Sequence, residues 1–321
     1  MKTTAVFHSA DYDGIFCREI AKRVLPKDTE FIGWDFTDKP LAIPSEGTIY
    51  VMDLPVDRVF GINLIKNSNL FLANLSDMEC ENAADMCRLV WIDHHKSSIE
   101  SHPTSIPGYR IDGVAACRLC WAYFTHDYGP HNPRCHPSDY DLPQKGHYLT
   151  REVDEPLAVR LAGEYDVWDH RGDGDLEFQF GLDSQEAINW DTLLGNEAQP
   201  GEYAKLIVSD GKKAMACYAK RDADVMRTRS FTTKWEGLTF LCLNTPRCNS
   251  NTFAALDKPE TGHDALMAFA FTGEKWVVSM YHAAHRKDLD LSEIAKKHGG
   301  GGHRGACGFT TTTISYIVKN S

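Results

Sequence analysis

Near its start the chain reads His8-Ser-Ala-Asp11-Tyr-Asp13-Gly14, so an imidazole and two carboxylates leave one apolar run, Thr3–His8, within six residues. Two later runs end in the same ligand types: Thr48–Met52 in Asp53, and Arg88–Ile92 in Asp93-His94-His95. Hard carboxylate oxygens mixed with imidazole suit manganese, magnesium or zinc rather than a metal that prefers thiolate. Two such ions about 3.5–4 Å apart clamp the attacking and leaving oxygens of a phosphoryl transfer. A single Asp behind a strand is ordinarily a turn or a helix cap, and a single His-His pair ordinarily lies on the surface. Three strand ends delivering the same chemistry point instead to one metal site.

Bringing those ends together takes a sheet whose strands run the same way. After Thr3–His8, the spacing of Ile15, Phe16, Ile20, Ala21 and Val24 predicts a helix over Gly14–Leu25. Glu30–Trp34, Thr48–Met52 and Arg88–Ile92 read as strands, and Asp57–Lys66 and Ala115–Phe124 as helices. The alternation predicts an α/β fold with a mostly parallel sheet flanked by helices, whose sites gather at the carboxyl ends of the strands. Tyr203–Arg229 is helical in pattern and strongly charged, with Gly211 as a break point. Beyond it come strands at Leu238–Leu243, Ala265–Thr272 and Trp276–Tyr281, then a helix at Leu291–His298. The shift in composition divides the chain into a metal-binding domain over 1–205, a helical connector over 206–229 and a smaller α/β domain over 230–321.

At 321 residues, with 42% hydrophobic and 25% charged residues, the chain has the size and composition of two globular domains. Lys and Arg number 34 against 45 Asp and Glu, a formal net charge of −11. That balance speaks against tight binding of long duplex DNA, which needs a basic footprint. Short RNA and nucleotides stay open as substrates, because clustered metal ions supply positive charge locally. No run approaches the roughly 20 apolar residues that span a bilayer, and MKTTAVFHSADYDG forms no signal-type apolar core. The expectation is a cytoplasmic protein with no membrane partner.

Ten cysteines scattered from Cys17 to Cys307 are expected to be reduced. Cys117-Arg-Leu-Cys120 has no second pair at zinc-ribbon spacing and lies in an apolar helical run, so core thiols are expected. The Pro- and Gly-rich stretch 126–147, with His126, His131, Cys135, His136 and His147, reads as a solvated insertion, with a lid as the alternative. The basic stretch within Lys212–Arg229 is interleaved with Asp222 and Asp224 and reads as a solvated face.

From Leu291, LSEIAKKHGGGGHRGACGF reads as an amphipathic helix, a glycine stop, and then His303 and Arg304 before a strand. Gly299 suffices as the cap. Gly300, Gly301 and Gly302 exceed what a cap requires. Backbone without Cβ atoms can approach a phosphate closely, and His303 and Arg304 add charge-assisted donors. The glycines follow a helix and no Lys-Ser/Thr completes them, so this is not a P-loop.

In order along the chain, HSADYDG, VMD, IDHH, GEYDVWDH at 163–170 and GGGGHRGACGF at 299–309 resemble the motifs of the DHH phosphoesterase family. The resemblance is to its two-domain branch of nanoRNases and relatives acting on cyclic dinucleotides or 3′-phosphoadenosine 5′-phosphate, and it covers nearly the whole chain. It implies two divalent ions, manganese first and magnesium second. One would be held by His8, Asp11 and Asp53, the other by Asp13, Asp53, His94 and Asp166, with Asp53 bridging. Asp93 would sit behind the histidines and fix a ring tautomer, and His95 would donate to charge developing on the phosphate. Tyr165 and Trp168, flanking Asp166, read as packing residues of the fourth-motif loop.

In the family the C-terminal glycine region binds substrate across a cleft from the metals, which makes Gly300, Gly301, Gly302, His303 and Arg304 the substrate residues. Members acting on short RNA carry an arginine in a Val-Ser-Leu-Arg-Ser-like strand. This chain has Val278-Ser-Met-Tyr281-His282 there, leaving Arg286 or His282 to replace the contact. The expected activity is hydrolysis of short oligoribonucleotides to nucleoside monophosphates. Alternatives are a cyclic or linear dinucleotide phosphodiesterase, a 3′-phosphoadenosine 5′-phosphate phosphatase, and a manganese pyrophosphatase, the last opposed by GGGGHRGACGF. A non-catalytic nucleic-acid-binding relative would show lost ligands, and the motifs retain all of them. A homodimer is left open.

Overall fold

The computed structural model describes residues 2–44, 46–61, 87–104, 106–126, 141–195, 201–246 and 248–315. The chain divides into two compact units, Met1–Lys212 and Lys213–Ser321. In the first, β1 (Thr3–His8), β2 (Glu30–Trp34), β3 (Gly47–Met52), β4 (Cys87–Asp93) and β5 (Gly108–Arg110) form a wholly parallel sheet in the order β2-β1-β3-β4-β5. Successive side chains feed opposite cores: Ala5 and Phe7 of β1, with Val90 and Ile92 of β4, enter one, while Val6, Leu89 and Trp91 enter the other. Burial on both faces explains why these strands read as unbroken apolar runs.

The helices of this unit are α1 (Tyr12–Val24), α2 (Val56–Phe60), α3 (Lys96–Ser101), α4 (Ala116–Thr125), α5 (Lys145–Thr150), α6 (Leu157–Asp166), α7 (Asp175–Asp183) and α8 (Trp190–Leu193). α1 buries Phe16, Cys17, Ile20 and Ala21 against the same core as Cys117 and Cys120 of α4, so the CxxC pair is two core thiols. Cys17, Cys117, Cys120, Cys217, Cys242, Cys248 and Cys307 are free. α2 stops at Phe60, where Gly61 takes a left-handed cap, φ 61°. The rest of the helix expected to reach Lys66 lies outside the described residues, as do His131, Cys135 and His136.

A long helix, α9 (Glu202–Arg229), runs through the division between the units. Gly211 does not break it. A Cβ there would overlap the Glu177 carbonyl oxygen, so the glycine lets α9 touch α7. The second unit holds β6 (Phe231–Trp235), β7 (Leu238–Asn244), β8 (Ala265–Phe271), β9 (Trp276–His282), α10 (Leu291–Lys297), β10 (Gly301–His303) and β11 (Ala306–Thr311). Its six strands lie in the order β10-β11-β9-β8-β7-β6, with β7 and β8 parallel and the other pairs antiparallel. α10 covers one face through Leu291 and Ala295, beside Phe240, Met267 and Met280. No helix among the described residues is long and apolar enough to cross a membrane.

α4 is tied to the segment before α6 by a buried ion pair. Arg118 is 4% exposed and Glu155 2%, and Nε of the arginine donates to both carboxylate oxygens at 2.9 and 3.1 Å. Burial pushes the Glu155 carboxyl above its ordinary range despite that partner. Arg118→Ala therefore leaves a desolvated carboxylate and is expected to cost about 3–5 kcal/mol. The double replacement by methionines is expected to recover most of that loss, both measured by urea unfolding. A single variant within about 1 kcal/mol of wild type would show that the pair does not tie these elements.

Candidate metal centre

The strand order places the centre. The chain leaves β1 toward β2 on one side and returns to β3 on the other, and in doubly wound sheets ligands bind outside the carboxyl ends at such a reversal. β1 ends in His8, β3 runs into Asp53, and β4 ends in Asp93 followed by His94 and His95. Asp11 caps α1, its Oδ1 accepting from the Gly14 N–H at 3.1 Å. A Cβ on Gly14 would overlap the His8 carbonyl oxygen, so a glycine is what lets the helix start against the strand end. Asp13, in the first turn of α1, is buried and accepts the N–H groups of Ala116 and Cys117 at 2.9 and 2.7 Å. It thereby caps α4, whose own Ala115 has no side-chain oxygen to offer.

Asp53 sits between two nests. His8 Nδ1 lies 2.9 Å from Asp11 Oδ2 and 3.5 Å from Asp53 Oδ2. His94 Nε2 lies 3.4 Å from the other oxygen, Asp53 Oδ1, 3.4 Å from Asp166 Oδ2 and 3.7 Å from Asp13 Oδ2. The ligand atoms of His8, Asp11 and Asp53 form one group of a size that could hold a metal ion, those of Asp13, His94 and Asp166 another, and those of Asp53, His94 and His95 a third. Asp53 is held there with φ 59°, a left-handed backbone that is uncommon outside glycine.

The donor set fits a divalent cation. Among the described residues, His8 Nε2, Asp53 Oδ2, Asp93 Oδ2 and Asp166 Oδ2 are buried with no hydrogen-bond partner. Each such orphan ordinarily costs about 1–3 kcal/mol, and a cation held at the nests would satisfy those of Asp53 and Asp166. The histidines show the same demand for positive charge. Burial opposes the charge on His8, but its contacts with Asp11 and Asp53 prevail and raise it to about 11. Burial likewise opposes His94, and Asp53, Asp13 and Asp166 raise it to about 10. Burial would raise Asp53, yet its contacts with His8 and His94 hold it below the usual carboxylate range. Asp13 and Asp166 are pushed up by burial first and by neighbouring carboxylates next, Asp166 to about 7 against the lowering effect of His94.

Asp93 stands apart from the nests. Its Oδ1 accepts the backbone N–H groups of His94 and His95, at 2.7 and 3.2 Å, and Nδ1–H of His95 at 2.7 Å. That orients the His95 ring and keeps its proton against burial. Asp35, at the end of β2, belongs to this neighbourhood although its place in the sequence did not single it out: its Oδ1 lies 3.5 Å from His8 Nε2. The signal was the one used elsewhere, an Asp directly behind a strand.

The fourth motif is the end of α6 rather than a loop, with Asp166 its last residue. Tyr165 is half-buried, but Trp168 is not a packing residue. The turn after α6 takes it left-handed, φ 57°, and leaves the indole 64% exposed.

In the second unit, Gly299 caps α10 with φ 79°, its N–H on the Lys296 carbonyl and that of Gly300 on Ala295. A Cβ on Gly300 would overlap the Gly308 carbonyl, and Gly302 lies against Cys307 with φ 124°. Gly301, between them, has open space around a Cβ position. His303 is exposed, and Arg304 donates to the Asp288 carbonyl at 2.8 Å. Arg286 is clamped between Asp264 and Asp288, and His282 Nε2 meets the Leu289 carbonyl at 2.8 Å. A further Asp257-His263-His285 group fails the orphan test. Asp257 accepts from His263 and the Ala284 N–H, and the other His263 nitrogen meets Thr261 Oγ1, so it is a buried lock for its loop.

No family model and no curated relative matches this sequence. Solved structures of similar fold include the pGpG-specific phosphodiesterase PggH from Vibrio cholerae, at 14% identity and TM-score 0.42, covering 98% of this chain and 95% of that one. They also include the PF0399 DHH domain, at 11% and 0.48, covering 96% and 82%. RecJ from Thermus thermophilus in complex with Mn2+ follows at 13% and 0.42, covering 97% of this chain and 49% of that one. The chemistry is read from this chain's own side chains. In the first unit, His8, Asp11, Asp13, Asp53, His94 and Asp166 converge into groups that could hold metal ions, and the order of the motifs that carry them resembles that of DHH proteins.

Proposed function

We propose that this chain is a metal-dependent phosphoesterase that hydrolyses short oligoribonucleotides to nucleoside monophosphates. The observation that carries the reading is Asp53, which presents one carboxylate oxygen to His8 and the other to His94. A carboxylate shared in this way suits two divalent ions, manganese before magnesium, the first held by His8, Asp11 and Asp53 and the second by Asp13, Asp53, His94 and Asp166. Bound ions of this kind polarise a phosphoryl oxygen and acidify a water. The chain's own contribution is orientation and proton placement. Asp93 fixes the His95 ring through Nδ1, so Nε2 is the atom that donates to charge developing on the phosphate.

The acidic net charge favours a small substrate over long strands. We assign substrate grip in the second unit to Gly301, His303 and Arg304. Arg286 and His282 are engaged by Asp264, Asp288 and the Leu289 carbonyl, and Arg304 by the Asp288 carbonyl, so a substrate phosphate would compete with these partners.

Asp53→Ala is expected to fold, by circular dichroism, and to lose turnover of 5′-phosphorylated RNAs of graded length in manganese. Asp93→Asn is expected to lose about 10–100-fold. Hydrolysis by Asp53→Ala at the wild-type rate sinks the shared-carboxylate assignment. Products confined to a cyclic dinucleotide or to 3′-phosphoadenosine 5′-phosphate would move the substrate to those classes.

Metal affinity is expected to rise with pH. Without metal, His8 at about 11 and His94 at about 10 both carry their protons at neutral pH. A cation must displace them, and each displaced proton makes affinity roughly tenfold per pH unit stronger as pH rises. Calorimetric titration with manganese on either side of neutrality, in buffers of different ionisation enthalpy, measures both the slope and the proton count. An affinity flat in pH contradicts this ligand set.

A further inference from the structure

An exposed aromatic ring stands beside the His8 nest, and a second, Trp168, follows Asp166 of the other nest in the chain. Phe36 follows Asp35 directly, is 50% exposed, and sets its ring edge-on to His8 at 5.4 Å and to the buried Trp34 at 5.8 Å. Its turn is fixed on both sides: the Asp35 N–H donates to Asp38 Oδ2 at 2.9 Å, the Phe36 N–H to Asp35 Oδ1 at 2.7 Å, and the Asp38 N–H to the Asp35 carbonyl at 2.8 Å. Trp34 anchors the turn from below, its Nε1 donating to the Lys39 carbonyl at 3.1 Å. Trp168 lies two residues past Asp166. Its indole meets His170 edge-on at 5.2 Å, and His170 is itself held by Asp175. A bulky residue in left-handed backbone is strained, and strain of this kind collects at functional sites. Here it holds a large apolar surface in water.

We propose that Phe36 and Trp168 are stacking platforms for the two nucleobases that flank the scissile phosphate; this rests on the phosphoesterase reading above. A ring against His8 and another on the turn that follows Asp166 suit a phosphodiester with a base on either side. A polyphosphate or pyrophosphate has no planar group for either ring. Stacking reads no base identity, because every base offers a π-face, so the platforms select nucleotides without selecting sequence. Phe271, an exposed aromatic of the second unit, lies against Trp276 at 5.3 Å within its own sheet.

The test compares the full-length chain and its variants, with manganese, on 5′-phosphorylated diadenosine and on the same dinucleotide lacking both bases. Phe36→Ala and Trp168→Ala are each expected to lower, by about tenfold, the ratio of kcat/KM for the dinucleotide over its abasic counterpart, mainly through KM. Phe36→Trp should restore the ratio, whereas Phe36→Leu, apolar but without a π-face, should not. A merely structural role lowers both substrates together and leaves the ratio at the wild-type value, which overturns the platforms. Hydrolysis of both substrates by wild type, with the ratio unmoved in every variant, overturns the platforms alone. Hydrolysis of neither substrate by wild type overturns the phosphoesterase reading and the platforms with it.

Discussion

Negative charge packed at one sheet edge is the constraint on which the first unit depends. Asp13 and Asp53 are buried, Asp166 partly so, and Asp11 and Asp35 stand beside them. Carboxylates this close, in a medium that solvates them poorly, cannot all stay ionised without positive charge among them. In the absence of metal the protein meets the demand with protons. His8 and His94 hold theirs far above the ordinary imidazole range, and Asp13 and Asp166 shift toward the neutral form. The orphaned oxygens of Asp53 and Asp166 are the part of the demand that protons leave unmet.

The scaffold holds that charge together by backbone rather than by side-chain packing. Reversal of strand order between β1 and β3 opens the space, and the missing Cβ of Gly14 lets α1 begin against His8. The amide end of α4 meets Asp13, so the positive pole of a helix stabilises the deepest carboxylate. Left-handed backbone at Asp53 turns its carboxylate between the two histidines. None of these devices adds net charge, so they hold the ligands in place without supplying what a cation would supply.

The strands of the parallel sheet were legible because both of their faces are buried, which makes each a continuous apolar run whose last residue is easy to mark. β1 and β2 fall where their runs predict, and the ligands behind β1, β3 and β4 followed from that rule. Asp35 escaped the same rule because β2 is an edge strand with half-exposed residues, so its carboxyl end looked like an ordinary turn. β5 has three residues, too few to show a period. α6 was hidden by its own motif: attention to Asp166 suggested a loop, although Leu157, Ala158, Leu161 and Ala162 carry a helical apolar face behind Pro156. Trp168 was read as packing because composition says nothing of the sign of φ. In the glycine run, Gly300 and Gly302 serve β11, a tertiary contact with no local signature.

Asp93-His94-His95 shows why neighbouring residues can carry different roles within one motif. Asp93 folds its Oδ1 over the next two amides and the His95 ring, three donors on one atom, and so shapes the turn that the histidines share. That oxygen is spent on the turn and on the His95 ring. His94 turns Nε2 toward Asp13, Asp53 and Asp166, while the rings of His94 and His95 lie 4.6 Å apart. One three-residue turn thus divides two tasks: Asp93 holds the proton on His95, while His94 faces the carboxylates of the nests.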